Sequence, residues 1–203
     1  METNETRLYY FPTFNESKYP KDRIEAIKEA YYGLDELLWK YRKKGYSKLI
    51  EYLIHDTDYL TAPASTKYHG NYAGGLIVHS YGVYKHMMKI IPAIMPELLE
   101  QHEMMHSIVM CAAFHDICKC NMYEYDEVSG KWTHNEKLKV GFHGPKSVFI
   151  LQKFLILKNW EAAAIMNHMG AYESKTCSQV YEEYPLAWFL HVADEASTYL
   201  DKE

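Results

Sequence analysis

The 203 residues suffice for one sizeable hydrophobic core, and two complete domains would each be small, so a single globular domain is expected. A net charge of -5, from 22 basic and 27 acidic side chains, argues against an extended basic surface for long nucleic acid and favours small phosphorylated ligands. The polar start, Met1 to Tyr10, lacks the pattern of a secretory signal, and the longest nearly apolar stretch, Met104 to Phe114, falls well short of the ~20 residues of a membrane span, so a cytoplasmic chain without membrane contact is expected.

From Asp22 to Lys44 the apolar positions Ile24, Ile27, Tyr31, Leu34, Leu38 and Tyr41 recur at three and four residues, which predicts a helix ended by Gly45. A short helix follows, with Leu49, Ile50, Leu53 and Ile54 on one face, stopping before Thr57. Thr61 to Gly75 reads as a loop leading into a helix from Leu76 to Ile91 that Pro92 and Pro96 close. Glu103 to Cys118 predicts a core helix whose apolar stripe is wide. Met122 to Trp132 alternates aromatic and polar residues around Ser129-Gly130, the pattern of a small β-hairpin. Helices are then expected over Gly144 to Leu157, Trp160 to Met169 and Tyr184 to Tyr199, with Tyr172 to Glu183 as the main late loop. The four cysteines, Cys111, Cys118, Cys120 and Cys177, lack paired C-x-x-C spacing and read as reduced thiols. Cys118 and Cys120 flank Lys119 and are expected to serve packing.

His115-Asp116 ends the core helix, and a single His-Asp dipeptide among 11 histidines carries no argument. Four further ligand-type residues lie at or near helix edges: His79 after Gly74-Gly75, His143 before one helix, His168 at the end of another, and Asp194 inside the last. Successive members are separated by about one helix and its return, so all six can meet in the middle of a bundle. Four imidazoles and two carboxylates suit two divalent transition metals, iron or manganese first, with cobalt, nickel or zinc as alternatives. Asp116 is the natural bridge between them. Two cations sharing a water would lower its pKa and neutralise phosphate oxygens, as phosphoester cleavage requires. His55, His86, His102, His106, His134 and His191 are read as ordinary core or surface histidines.

Five strings carry a resemblance. Ala62-Pro63-Ala64-Ser65 with His69 and Gly74-Gly75-Leu76-Ile77-Val78-His79-Ser80 resembles the opening segment of HD-domain phosphohydrolases, in particular the branch related to bacterial 3′-to-5′ exoribonucleases. Phe114-His115-Asp116-Ile117-Cys118-Lys119 is similar to the central HD-x-x-K motif. Gly141-Phe142-His143-Gly144 and Ile165-Met166-Asn167-His168-Met169-Gly170 resemble the two extra histidine motifs of dinuclear members, and Leu190-His191-Val192-Ala193-Asp194 resembles the closing aspartate motif. The similarity runs from about residue 58 to 200. It implies an all-α HD bundle with one small β-hairpin, helices of residues 1–57 packing on a core of 58–203, and phosphomonoester or phosphodiester hydrolysis by a metal-bridging hydroxide.

Carried over by position, His79, His115, Asp116 and Asp194 would hold the first metal, and Asp116, His143 and His168 the second. Asp116 and Lys119 would be the catalytic residues, Lys119 also meeting substrate phosphate. His69 would either reach the same pocket as a substrate contact or pack on a tyrosine. The implied substrate is a nucleotide, cyclic dinucleotide or short oligonucleotide. Met169 stands where many relatives have a second histidine, and the exoribonucleases' oligonucleotide-binding domain has no counterpart, so the departures bear on substrate and not on fold. Mixed-valent di-iron oxygenases share the six-ligand pattern and form the alternative, followed by a nucleotide-sensing module without turnover. His102-Glu103-Met104-Met105-His106 also fits the H-E-x-x-H signature of zinc proteases, but Ala112 stands where the longer motif needs its third histidine.

Overall fold

The computed structural model describes residue 12 and residues 19–135 and 142–201. Met1 to Tyr10 and Gly141 therefore lie outside the described residues. The fold is all-α with one antiparallel hairpin. Eight α-helices are present among the described residues: α1 Lys21–Lys40, α2 Tyr46–His55, α3 Gly75–Ile94, α4 Met104–Phe114, α5 His143–Leu151, α6 Asn159–Met166, α7 Cys177–Glu183 and α8 Pro185–Leu200. Strands β1 Tyr123–Asp126 and β2 Lys131–His134 pair in register Tyr123 with His134 and Tyr125 with Trp132. None of the described helices is long and apolar enough to cross a membrane.

The stripe on α1 buries Ile24, Ile27, Tyr31, Leu34 and Leu38 against α3 and α4. Helix α3 is the central rod, packed on α1, α4 and α8, while α6 joins α4, α5 and α8. Nearly every residue of α4 is buried, from Ser107 through Phe114, as expected of a helix enclosed on all sides.

Several boundaries differ from the sequence expectation: α1 stops at Lys40 and not at Gly45, and α6 at Met166 and not at Met169. Helix α3 runs through Pro92 to Ile94, because a proline in the last turns forfeits one hydrogen bond, and it stops where Met95 precedes Pro96. Helix α5 stops at Leu151 instead of Leu157, since the chain turns to bury Leu155 and to stack Phe154 on Tyr52, with ring centroids 4.9 Å apart. Helix α4 ends at Phe114 and passes into a short 3-10 turn, Ile117–Lys119. The expected loop 172–183 contains α7, whose one buried residue, Cys177, leaves no apolar stripe to read.

Candidate metal centre

The loop before α3 is tied down by its own backbone: Gly74 N–H donates to the Thr61 carbonyl at 3.0 Å and Leu76 N–H to the Ala62 carbonyl at 3.0 Å. Gly74 holds φ at 88°, and a Cβ on Gly75 would lie 2.1 Å from the Gly70 carbonyl oxygen, so this crossing needs the glycine pair. It sets the start of α3 and thereby aims buried His79 inward. His115 caps the C-terminus of α4, and Asp116 opens the 3-10 turn at φ -105°, ψ 17°. His143 is the first residue of α5, which approaches the end of α6 so closely that a Cβ on Gly144 would lie 2.4 Å from the Met166 carbonyl oxygen. His168 follows the C-cap of α6, and Asp194 faces inward from α8. The C-terminal ends of α4 and α6 and the N-terminal end of α5 therefore converge.

The structure brings all six sequence-picked residues into three overlapping groups whose ligand atoms lie within 4.8 Å of one another: His79, His115 and Asp194; His115, Asp116 and His168; Asp116, Cys118 and His143. These buried His and Asp clusters could hold a metal ion. In the first group His79 Nε2 is 3.0 Å from Asp194 Oδ1 and 3.3 Å from His115 Nε2, and His115 Nε2 is 3.8 Å from Asp194 Oδ1. Ligands bound to one ion at about 2.1 Å are separated by roughly 3 to 4 Å, so this triangle fits a single cation.

The hydrogen bonds around the cluster prepare it for a cation. His115 Nδ1–H donates to the Ala112 carbonyl at 3.0 Å and His168 Nδ1–H to the Ile165 carbonyl at 2.7 Å, which turns each Nε2 toward the centre. His168 Nε2 and Asp116 Oδ1 are 3.5 Å apart, yet both atoms are buried without a hydrogen-bond partner among the described residues. Buried polar atoms are seldom left so, and a cation between these two could satisfy both.

Charge is organised around Asp116. Burial opposes its ionisation, but the Lys119 ammonium, with Nζ 2.6 Å from Oδ2, and then His115 and His168 outweigh burial and hold the carboxyl well below the usual range. Burial likewise opposes the charge on Lys119, and Asp116 more than restores it. Burial lowers His115 to about 4 against the pull of Asp116 and Asp194, so its imidazole is neutral and ready to donate a lone pair. Burial would also lower His168, but contact with Asp116 raises it.

His69 lies beside the cluster, its ring centroid 4.7 Å from that of His79, with both ring nitrogens buried and unpartnered. Burial, reinforced by His79, lowers it to about 3. Three residues escaped the sequence reading. Cys118 places Sγ 3.4 Å from His143 Nδ1, and burial pushes its thiol up to about 12. Glu173 accepts the His143 N–H at 2.9 Å, capping α5 and leaving Oε2 buried and unpartnered. His191 donates from Nδ1 to the His168 carbonyl at 2.7 Å and stacks on Tyr181. A cysteine beside Lys119, a loop glutamate and a histidine one turn before Asp194 give no local signal of these contacts.

The H-E-x-x-H string does not form a helical pair of ligands. Helix α4 begins at Met104 with Glu103 as its left-handed N-cap, so exposed His102 and His106 share no helix face. Glu103 is taken by Lys158, and His106 Nδ1 bonds the Tyr41 carbonyl at 3.2 Å. No family model matches the chain, and neither does a curated protein or a solved structure.

Proposed function

We propose that this chain is a metal-dependent phosphohydrolase of the HD type, cleaving a phosphomonoester or phosphodiester of a nucleotide, cyclic dinucleotide or short oligonucleotide. The observation that carries the reading is the pose of Asp116. Its Oδ2 faces His115 Nε2 at 3.5 Å and His79 Nε2 at 3.7 Å, while its Oδ1 faces His168 Nε2 at 3.5 Å. A carboxylate turned to different imidazoles with its two oxygens is suited to bridge two cations.

His79, His115, Asp116 and Asp194 would hold one metal, and Asp116, His143 and His168 the other, with iron or manganese favoured by the mixed imidazole and carboxylate set. Two such cations, when bound, activate water and neutralise phosphate oxygens. The protein's own part is to fix the ligands from behind: the Ala112 and Ile165 carbonyls orient His115 and His168, and Glu173 pins the backbone of His143. Lys119, buried beside Asp116, supplies a fixed positive charge for a phosphoryl oxygen as negative charge builds. His69 is a neutral side chain beside His79 and is assigned to substrate contact.

Metal analysis of anaerobically purified protein tests the ligand assignment. Wild type should bind two ions per chain, His143→Ala and His168→Ala should lose mainly one, and Asp116→Ala should lose both. Wild type that holds at most one ion when saturated with manganese or iron contradicts the assignment.

A further inference from the structure

At the pole of the bundle away from Asp116, six of the chain's 22 basic residues line one cavity of about 560 Å³: Arg42, Lys43, Lys44, Lys48, Lys153 and Lys158. Its only acidic lining residue among the described residues is Glu103, and the whole chain carries a net charge of -5, so the concentration of positive charge here is local and opposite to the average. Phe154 and Ile156 supply an apolar part of the wall.

Some of these cations are committed. Lys43 pairs with Glu161, a buried carboxylate that also accepts from Ser107 Oγ at 2.6 Å, and Lys158 pairs with Glu103. Lys44, Lys48 and Lys153 have no carboxylate partner among the described residues, and all three are exposed. The backbone adds to the field. Gly45, Glu103 and Lys158 are the N-caps of α2, α4 and α6, and all three line the cavity, so the positive ends of three helices meet there. Neither α2 nor α4 has a side-chain cap on its first amides. Three unneutralised lysines and three helix starts around a cavity of ligand size match an anion with several charges close together.

We propose that this cavity is a second ligand site, separate from the metal centre, that binds a small polyphosphate anion. A chain of phosphates carries several charges close together, which answers Lys44, Lys48 and Lys153 around one cavity better than a single carboxylate does. The site is separated from the metal centre along the helices themselves. His115 lies at one end of α4 and Glu103 at the other, about 18 Å apart at 1.5 Å per residue. The same holds for α6, with Lys158 before its start and His168 after its end, and for α5, with His143 at its start and Lys153 beyond its end. A small polyphosphate cannot touch both places.

The probe is inorganic triphosphate, titrated calorimetrically into the full-length protein at low ionic strength. Wild type should bind it, and Lys48→Glu with Lys153→Glu should weaken binding by about tenfold or more, since charges facing the ligand are reversed. Lys21→Ala, the loss of one exposed cation outside the cavity, should leave that affinity within about twofold. Both sites of charge reversal are exposed, and an unchanged circular dichroism spectrum and Tm certify the fold. A nucleoside triphosphate that binds as tightly as inorganic triphosphate identifies the phosphates alone as the ligand; tighter binding identifies a nucleotide that also uses Phe154. The proposal is overturned by no heat at roughly millimolar triphosphate, by loss of binding in Lys119→Ala but not in the double variant, or by a single-stranded oligonucleotide that binds far more tightly than either at the same residues.

Discussion

Lys119 Nζ lies 2.6 Å from Asp116 Oδ2, within one 3-10 turn, and both side chains are almost wholly buried. The ammonium neutralises the carboxylate at the centre of the cluster. With metals bound at the proposed site, Asp116 would be neutralised as their ligand and Lys119 would be free to face phosphate. The pair therefore links the charge needed to assemble the centre with the charge needed to use it.

Removal of that cation should affect turnover more than assembly. Lys119→Ala is expected to lower kcat by roughly 10²- to 10³-fold, the scale of losing one charge-stabilising donor. Metal content should stay at the wild-type level. Steady-state kinetics alongside metal analysis checks this, and unchanged kcat with metals bound would remove Lys119 from the mechanism.

Glu103 offers the opposite case. It sits outside the cluster, partly exposed, paired with Lys158. Exposed pairs contribute little to stability, so Glu103→Gln should keep activity and metal content within about twofold. Joint loss of metal and activity in this variant would restore the zinc-protease reading of His102 to His106.

Close packing behind the centre gives a third expectation. In Gly144→Ala the new Cβ would lie 2.4 Å from the Met166 carbonyl and 2.6 Å from that of Ile165, and backbone on both sides cannot yield cheaply. Overpacking of this kind costs about 1 to 3 kcal/mol. It should also push His143 away from His168, so Tm should fall and the ion shared by these two residues should bind more weakly. Thermal unfolding with and without manganese measures both, and a variant indistinguishable from wild type would mean that α5 is free to shift.

The segments that carry His79, His115, His143, His168 and Asp194 were legible as helices, and ligand-type residues at helix edges one helix apart can return to one place. The all-α architecture and the hairpin follow from the apolar patterning. What escaped is what only packing decides. The early end of α5 depends on Phe154 finding Tyr52, and α7 has too little apolar surface to announce itself. Cys118 at His143, Glu173 at the start of α5 and His191 behind His168 depend on contacts between segments far apart in the chain. The cationic cavity was equally hidden, since its lysines are spread over two separate segments and vanish in a negative net charge.

The central claim is that the Asp116 cluster hydrolyses phosphoesters, and the direct measurement is product release from a panel of nucleotides, cyclic dinucleotides, short oligonucleotides and long polymers by manganese-loaded protein. The account predicts cleavage of at least one small substrate, faster than that of any long polymer, and its loss in Asp116→Ala. Manganese-loaded protein that is inert across the panel, yet consumes oxygen on a phosphonate or polyol when loaded with iron, would contradict the hydrolase assignment and favour an oxygenase.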